Sequence, residues 1–220
     1  MILEERLTTY IDSLSWNIPE YLKEVEQKAI KEEVPIIRKS MQSLLCFLLH
    51  IRKPKAILEI GTAVGFSGML MSECVAGDAK IDTIEKVPVR IKAARKNFAR
   101  YGKEEQIHLY EGDANEVLKQ LVKQNKQYDF VFMDAAKGQY MNYLESVLVL
   151  LKKDGMLVTD NVLQDGEIIQ SRYAVNRRDR TIHGRMREYL YYLTHTKELE
   201  TVILPVGDGT ALTVFRDSEV

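Results

Sequence analysis

From Lys55 onward the chain alternates between two hydrophobic patterns. Short β-rich runs occur at AILEI (56–60), KIDTIE (80–85), QIHLYE (106–111), YDFVFM (128–133) and GMLVT (155–159). Between them lie longer segments of helical character: Phe66–Val75, Pro88–Tyr101, Asn115–Gln124 and Gln139–Leu151. Such alternation predicts right-handed βαβ units and a parallel sheet covered on both faces. Pro88 suits a helix start, where a missing N–H costs nothing. Ahead of this region, Tyr21–Glu33 is charge-rich and Met41–Ile51 is apolar round much of its circumference, so both read as helices. The ending breaks the rhythm. After a helical segment at about 181–197, the runs ELETVILPV and TALTVFR are joined only through Gly207, Asp208 and Gly209. Two β-like runs that close demand an antiparallel hairpin, added here to the sheet edge. The pattern predicts one α/β domain over 1–220, with a helical region at 1–54 and the sheet-forming core at 55–220.

Composition changes this picture little. A chain of 220 residues buries a proper core as a single domain. The formal charge of -1 gives no global field to attract nucleic acid or membrane, so charge matters only locally. The start, MILEERLTTYIDSL, is acidic early and lacks a long apolar core, and is not expected to be a signal peptide. No apolar run is long enough to span a bilayer. Cys46 and Cys74 sit in apolar helical contexts without CxxC spacing. They are expected to be two reduced core thiols of a cytoplasmic protein, not a zinc site.

Chemistry gathers at the strand tips, where ligands bind in a doubly wound sheet. The first strand runs into EIGTAVGFSG, with Glu59, Gly61, Gly65 and Ser67. These glycines let the backbone approach a ligand, and the next helix offers free N–H groups. Their spacing is GxxxG, unlike the dinucleotide fingerprint. The second strand ends in Glu85, a carboxylate able to accept both hydroxyls of a ribose. The third ends in EGDA, placing Asp113 and Ala114 where an adenine edge would lie. Each signal alone is as readily a turn or a solvated acid. In order, at successive tips, they point to an adenosine cofactor, and to S-adenosylmethionine ahead of NAD.

The fourth and fifth strands end in Asp134 and in the pair Asp160-Asn161. Their tips are neighbours in a parallel sheet of this topology, so three oxygen donors converge. Oxygen ligands suit Mg²⁺ or Mn²⁺ and leave places for substrate oxygens. From the residues alone, Asp160 reads equally well as a helix N-cap and Asn161 as a loop residue.

LEIGTAVGFS, TIE at Glu85, EGDA, MDAAK and TDN together resemble the class I S-adenosylmethionine-dependent methyltransferases, with a Rossmann-like fold. More narrowly they resemble the metal-dependent O-methyltransferases that include the catechol and caffeoyl-CoA enzymes. The resemblance covers essentially the whole chain. It implies that Ile36 lies against the cofactor, that Glu59 and Ser67 hold its methionine portion, Glu85 its ribose, and Asp113 with Ala114 its adenine. It implies Asp134, Asp160 and Asn161 as ligands of Mg²⁺ or Mn²⁺, and Lys137 as general base, pushed toward neutrality by a nearby dication. It also implies a homodimer through the N-terminal helices. The plant caffeoyl-CoA enzymes read Asp-Ala-Asp-Lys where this chain has Asp134-Ala135-Ala136-Lys137, so the resemblance does not by itself imply plant-type substrate specificity.

The segment Ser171–Glu188 holds six arginines, Arg172, Arg177, Arg178, Arg180, Arg185 and Arg187, with Tyr173 at its start and Tyr189, Tyr191 and Tyr192 following it. A charge run is usually a solvated helix face. Its position soon after Asp160-Asn161 places this one beside the site mouth, where arginines grip phosphate in defined geometry. Met186, Leu190 and Leu193 have the spacing of a buried stripe. RRDRTIHGRMREYLYYLTH and VGDG resemble the bacterial branch that methylates 5-hydroxyuridine at the tRNA wobble position. That base presents its 5-hydroxyl beside a 4-carbonyl, a chelating pair like catechol, in the accessible anticodon loop. The expected activity is therefore tRNA 5-hydroxyuridine methylation, with Arg172, Arg177, Arg178, Arg180 and Arg185 on RNA. The alternatives are methylation of a small catechol or other vicinal diol, and a non-catalytic RNA-binding module.

Overall fold

A computed structural model of the chain describes residues 4–15, 17–171 and 173–216. Three helices come first: α1 (Glu5–Ser13), α2 (Glu20–Lys31) and α3 (Lys39–Arg52). The alternating core follows as β1 (Ala56–Ile60), α4 (Phe66–Cys74), β2 (Lys80–Glu85), α5 (Pro88–Arg100), β3 (Ile107–Glu111), α6 (Ala114–Lys123), β4 (Tyr128–Met133), α7 (Tyr140–Leu150) and β5 (Leu151–Thr159). α8 (Arg180–His195) then leads to β6 (Leu199–Leu204) and β7 (Thr210–Phe215).

The strands form one seven-stranded sheet in the order β3-β2-β1-β4-β5-β7-β6. β1 to β5 are parallel, and β7 runs antiparallel to both β5 and β6. The expected α/β sheet with a terminal hairpin is what the chain forms. β5 starts earlier than the GMLVT run, at Leu151, because an irregularity between Tyr128 and Phe130 lets Leu151 pair with Tyr128.

Period-2 alternation splits the core in two. Ile57, Phe130, Phe132 and Val158 pack against α2 to α5 on one face. Leu58, Ile60, Val131, Met133 and Leu157 pack against α6, α7 and α8 on the other. Helices must cover both faces, which is why the strands read as near-continuous apolar runs.

One expectation about this core is corrected. Cys46 and Cys74 are not separate thiols but a disulfide, with Cα atoms 5.5 Å apart. They lie on α3 and α4, which pack against each other. Sequence spacing could not show that pairing, because it arises from the docking of the N-terminal helices onto the core. The compartment inferred from reduced thiols loses its basis. Among the described residues, no helix is long and apolar enough to cross a membrane.

Candidate functional site

Sheet order reverses between β1 and β4, and register fixes what meets there. Ile60 pairs with Met133, and Met133 with Thr159. Gly61, Asp134 and Asp160 are therefore the first residues beyond three adjacent strands. Gly61 has φ +110°, and a Cβ there would come within 2.0 Å of the Asp134 carbonyl oxygen. Only glycine permits this approach. Gly65, at φ +84°, starts α4 where a side chain would strike the Phe98 ring.

Above these tips lies a cleft of about 490 Å³. Ile36, Gly61, Ser67, Glu85, Ala114, Asp134, Lys137 and Asn161 line it, so most of the residues chosen from sequence share one cavity. Glu85 is held firmly. Its Oε2 accepts from Ala63 N at 2.9 Å, and its Oε1 from Lys86 N at 2.9 Å and Val87 N at 3.0 Å. A carboxylate has about four acceptor positions, so one remains for a ligand hydroxyl.

Four expected residues do not line the cleft: Asp160, which is buried behind it, and Asp113, Gly65 and Glu59. Asp113 is exposed, caps α6 by accepting from Asn115 N at 3.0 Å, and pairs with Lys86. The Asn115 amide holds its carboxyl below the usual range, so the side chain serves first as a helix cap. Gly65 shapes the turn without lining the cleft. Glu59 lies beneath the wall, 0% exposed, with Thr83 donating to Oε2 and no partner for Oε1 among the described residues. Burial pushes it up to about 7, against the pull of the Ser67 and Thr83 hydroxyls. Ser67, which does line the cleft, connects it to the surface.

At the tips of β4 and β5, Asn161 donates through Nδ2 to Asp134 Oδ1 at 2.7 Å. Asp160, 4% exposed, accepts from Asn161 N at 2.7 Å. Burial and then the neighbouring Asp134 push Asp160 up to about 7, and burial raises Asp134. Lys137 begins a short 3-10 turn, Lys137–Gln139, and its charge acts on Asp134, Asp160 and Asp208. Asn161 adopts φ +65°, a conformation asparagine tolerates, which turns its side chain back over the sheet.

Sequence reading missed three contributors. Tyr140, wholly buried, accepts from Ala135 N and donates to the Asp160 carbonyl at 3.1 Å, tying the β4 and β5 tips together. Asp208, seen only as a hairpin turn, lines the cleft. Arg38 bridges it to Asp165 on the irregular helical segment Gln164–Ile169. The signal for Asp208 was its place in the β6–β7 turn, which the sheet order brings beside β5.

The arginine segment is partly spent on structure. Arg180 donates to the Val175 and Tyr173 carbonyls, Arg185 to Gly138 at 2.8 Å, and Arg187 to Ile168 at 3.2 Å. Arg178 pairs with Asp179, while Arg177 is exposed. Arg172 lies outside the described residues. Arg185 does place α8 beside the Lys137 turn. In the predicted stripe Leu190 is only half-buried, and Tyr189 is core, its hydroxyl on Thr159.

A sheet of this order, with a glycine turn on β1 and acids at the next tips, defines the Rossmann-like methyltransferase class. Residues 12–216 match the family model described as O-methyltransferase. Caffeoyl-CoA O-methyltransferase 2 of Populus trichocarpa is 30% identical over 200 residues, 88% of this chain and 81% of that one. The catechol O-methyltransferase of Niastella koreensis is 29% identical over 177 residues, 78% of each chain. The crystal structure of the SAH-bound methyltransferase PaMTH1 of Podospora anserina superposes with a TM-score of 0.87 at 28% identity, covering 97% of this chain and 95% of that chain. The chain belongs to the S-adenosylmethionine-dependent O-methyltransferase family of the caffeoyl-CoA and catechol type.

Proposed function

We propose that the protein methylates one hydroxyl of a small acceptor carrying two vicinal oxygens, as catechols do, with S-adenosylmethionine as donor. The observation that carries this is the meeting of Asp134, Asn161 and Lys137 in the same cleft as the glycine turn and Glu85. The S-adenosylmethionine sulfonium would supply an electrophilic methyl group. Glu85 would accept from the ribose hydroxyls, Ser67 would meet the methionine end, and Ile36 would close the cleft from the N-terminal side. Alignment of acceptor oxygen, methyl carbon and sulfur is most of what such a transfer requires.

The donor set also fits a divalent cation. Asp160 is buried and Asp134 partly buried, both with raised pKa values, an arrangement that a dication among oxygen ligands relieves. Asp134, Asp160 and Asn161 would hold Mg²⁺ or Mn²⁺, which makes a bound hydroxyl more acidic. Lys137 Nζ would take the hydroxyl proton as the oxygen attacks the methyl carbon and the carbon–sulfur bond breaks.

A second acceptor, 5-hydroxyuridine at the tRNA wobble position, presents the same chelating pair. Arg177, Arg178 and Tyr173 favour it, being exposed on the segment that leads into α8, whose Arg185 grips the Lys137 turn. The deciding experiment supplies the protein with S-adenosylmethionine and Mg²⁺, and either catechol or tRNA containing 5-hydroxyuridine. Mass spectrometry should find methylated catechol. Transfer to tRNA alone would replace the first reading by the second, and transfer to neither would refute both.

A homodimer through the N-terminal helices belongs to the same proposal. Leu7, Tyr10, Ile11 and Leu14 of α1 and its flank are exposed apolar side chains that a second copy would cover. Sedimentation should show twice the chain mass.

A further inference from the structure

α8 presents a second chemical surface on the flank that does not touch the Lys137 turn. Arg185 reaches Gly138 beside the cleft, whereas Arg187 reaches the Ile168 carbonyl. His183 and Arg187 are four positions apart and share that other flank. There a cavity of about 370 Å³ is walled by Gln170, Ser171, His183, Gly184 and Arg187. It shares no residue with the methyl-transfer cleft.

Two independent observations concern what it takes. The first is composition. Its described walls offer a guanidinium, an imidazole, an amide and a hydroxyl, all able to donate, and no carboxylate. Arg187 spends one N–H on Ile168 and Ser171 Oγ accepts from Tyr173 N at 3.4 Å; among the described residues the other Arg187 N–H groups and the Ser171 O–H have no hydrogen-bond partner. The second is His183. It is 2% exposed, yet neither Nδ1 nor Nε2 has a hydrogen-bond partner among the described residues. A buried imidazole always carries at least one N–H, and buried polar groups in native proteins are nearly always paired. His183 is nevertheless one of the residues that wall the cavity.

We propose that this cavity is a phosphate-binding site. Arg187 supplies the charge, and His183, Ser171 and Gln170 donate to the remaining oxygens. Donors come from two separate segments, Gln170–Ser171 and α8, and a tetrahedral anion has enough oxygens to accept from several of them at once. The phosphate can belong to a small phosphate ester or to an RNA backbone. The site does not depend on which hydroxyl is methylated, nor on methyl transfer at all.

The test is calorimetric titration of the full chain with inorganic phosphate. Saturable binding is expected for the wild type. Arg187→Ala and His183→Phe should each weaken it by about tenfold or more, as removal of a hydrogen bond to a charged group does. S-Adenosylhomocysteine binding, measured in parallel, should be unchanged in both variants and reports that they are folded. Arg187 is exposed, so its variant carries the test if His183→Phe fails to fold. Displacement of phosphate by coenzyme A assigns the site to a small ester, displacement by a short RNA hairpin to a nucleic-acid backbone, and displacement by neither to the free anion. Absence of saturable binding to the wild type, or equal affinity in wild type and Arg187→Ala, overturns the proposal.

Discussion

Glu59 gives a prediction that depends on no ligand. Its carboxyl is wholly buried in β1, and Oε1 has no partner among the described residues. Burial raises its pKa from 4.5 to about 7. The folded chain therefore binds this proton more tightly than the unfolded chain. The resulting stability is fully present below about 4.5 and is lost as pH rises through about 7. A gap from 4.5 to about 7 corresponds to roughly 3 kcal/mol of unfolding free energy. Glu59→Gln keeps the shape and can still accept from Thr83, but it never ionises. Urea unfolding without cofactor should show the variant gaining about 3 kcal/mol on the wild type between about pH 4 and pH 8. Asp134, Asp160 and Asp208 also have raised pKa values and give slopes of the same sign. They remain in both proteins, so the difference between the two curves reports Glu59 together with its repulsion of Asp134 and Glu85. A difference that stays constant across this range would refute the reasoning.

Other expectations concern the cleft. Glu85→Ala should weaken S-adenosylhomocysteine binding by about 1.5–3 kcal/mol in calorimetry, as is typical when hydrogen bonds to a charged acceptor are removed; unchanged affinity would place the ribose elsewhere. Asp160→Ala, or EDTA on the wild type, should abolish methyl transfer while leaving that affinity intact, and full turnover in EDTA would remove the cation from the mechanism. Gly61→Ala must move the Asp134 carbonyl out of a 2.0 Å overlap at a positive φ. It should cost several kcal/mol of stability, read as a large drop in melting temperature, and a wild-type melt would show that the turn yields easily.

The fold was legible because the central strands β1, β2 and β4 are nearly continuous buried runs, and Gly61, Asp134 and Asp160 stand directly beyond β1, β4 and β5. Asp134 and Asp160 could be set side by side from the parallel register alone. What stayed hidden depended on packing between distant segments. The Cys46–Cys74 pairing requires α3 to dock on α4. Arg38, Asp165 and Asp208 come from three separate segments, and no local pattern links them. Asp113 shows the opposite limit. Its motif was visible, but the same residue is also a good helix cap, and spacing could not reveal that its carboxylate is turned to Asn115 and Lys86.

The arginine segment shows why a charge run is weak grounds for a binding surface. The loop entering α8 contains backbone carbonyls without sheet or helix partners, and these must be satisfied. Arg180 does this within the loop, while Arg187 and Arg185 satisfy carbonyls outside it, at Ile168 and Gly138. An arginine so engaged gives up part of its donor fork, although its charge remains. Removing Arg180 or Arg185 would therefore alter the shape of the cleft's border as well as its charge, and a fall in activity would not distinguish the two. Arg177 is exposed, and among the described residues Arg178 is tied only to its neighbour Asp179, so they are the positions where neutralisation reports on the ligand itself. With both replaced by alanine, a catechol-type enzyme should keep its turnover on the small acceptor. An enzyme of tRNA should bind its substrate more weakly, with a salt slope shallower by about 0.7 for each single-strand phosphate no longer neutralised. Unchanged tRNA affinity across a salt series would assign these two side chains to solvent.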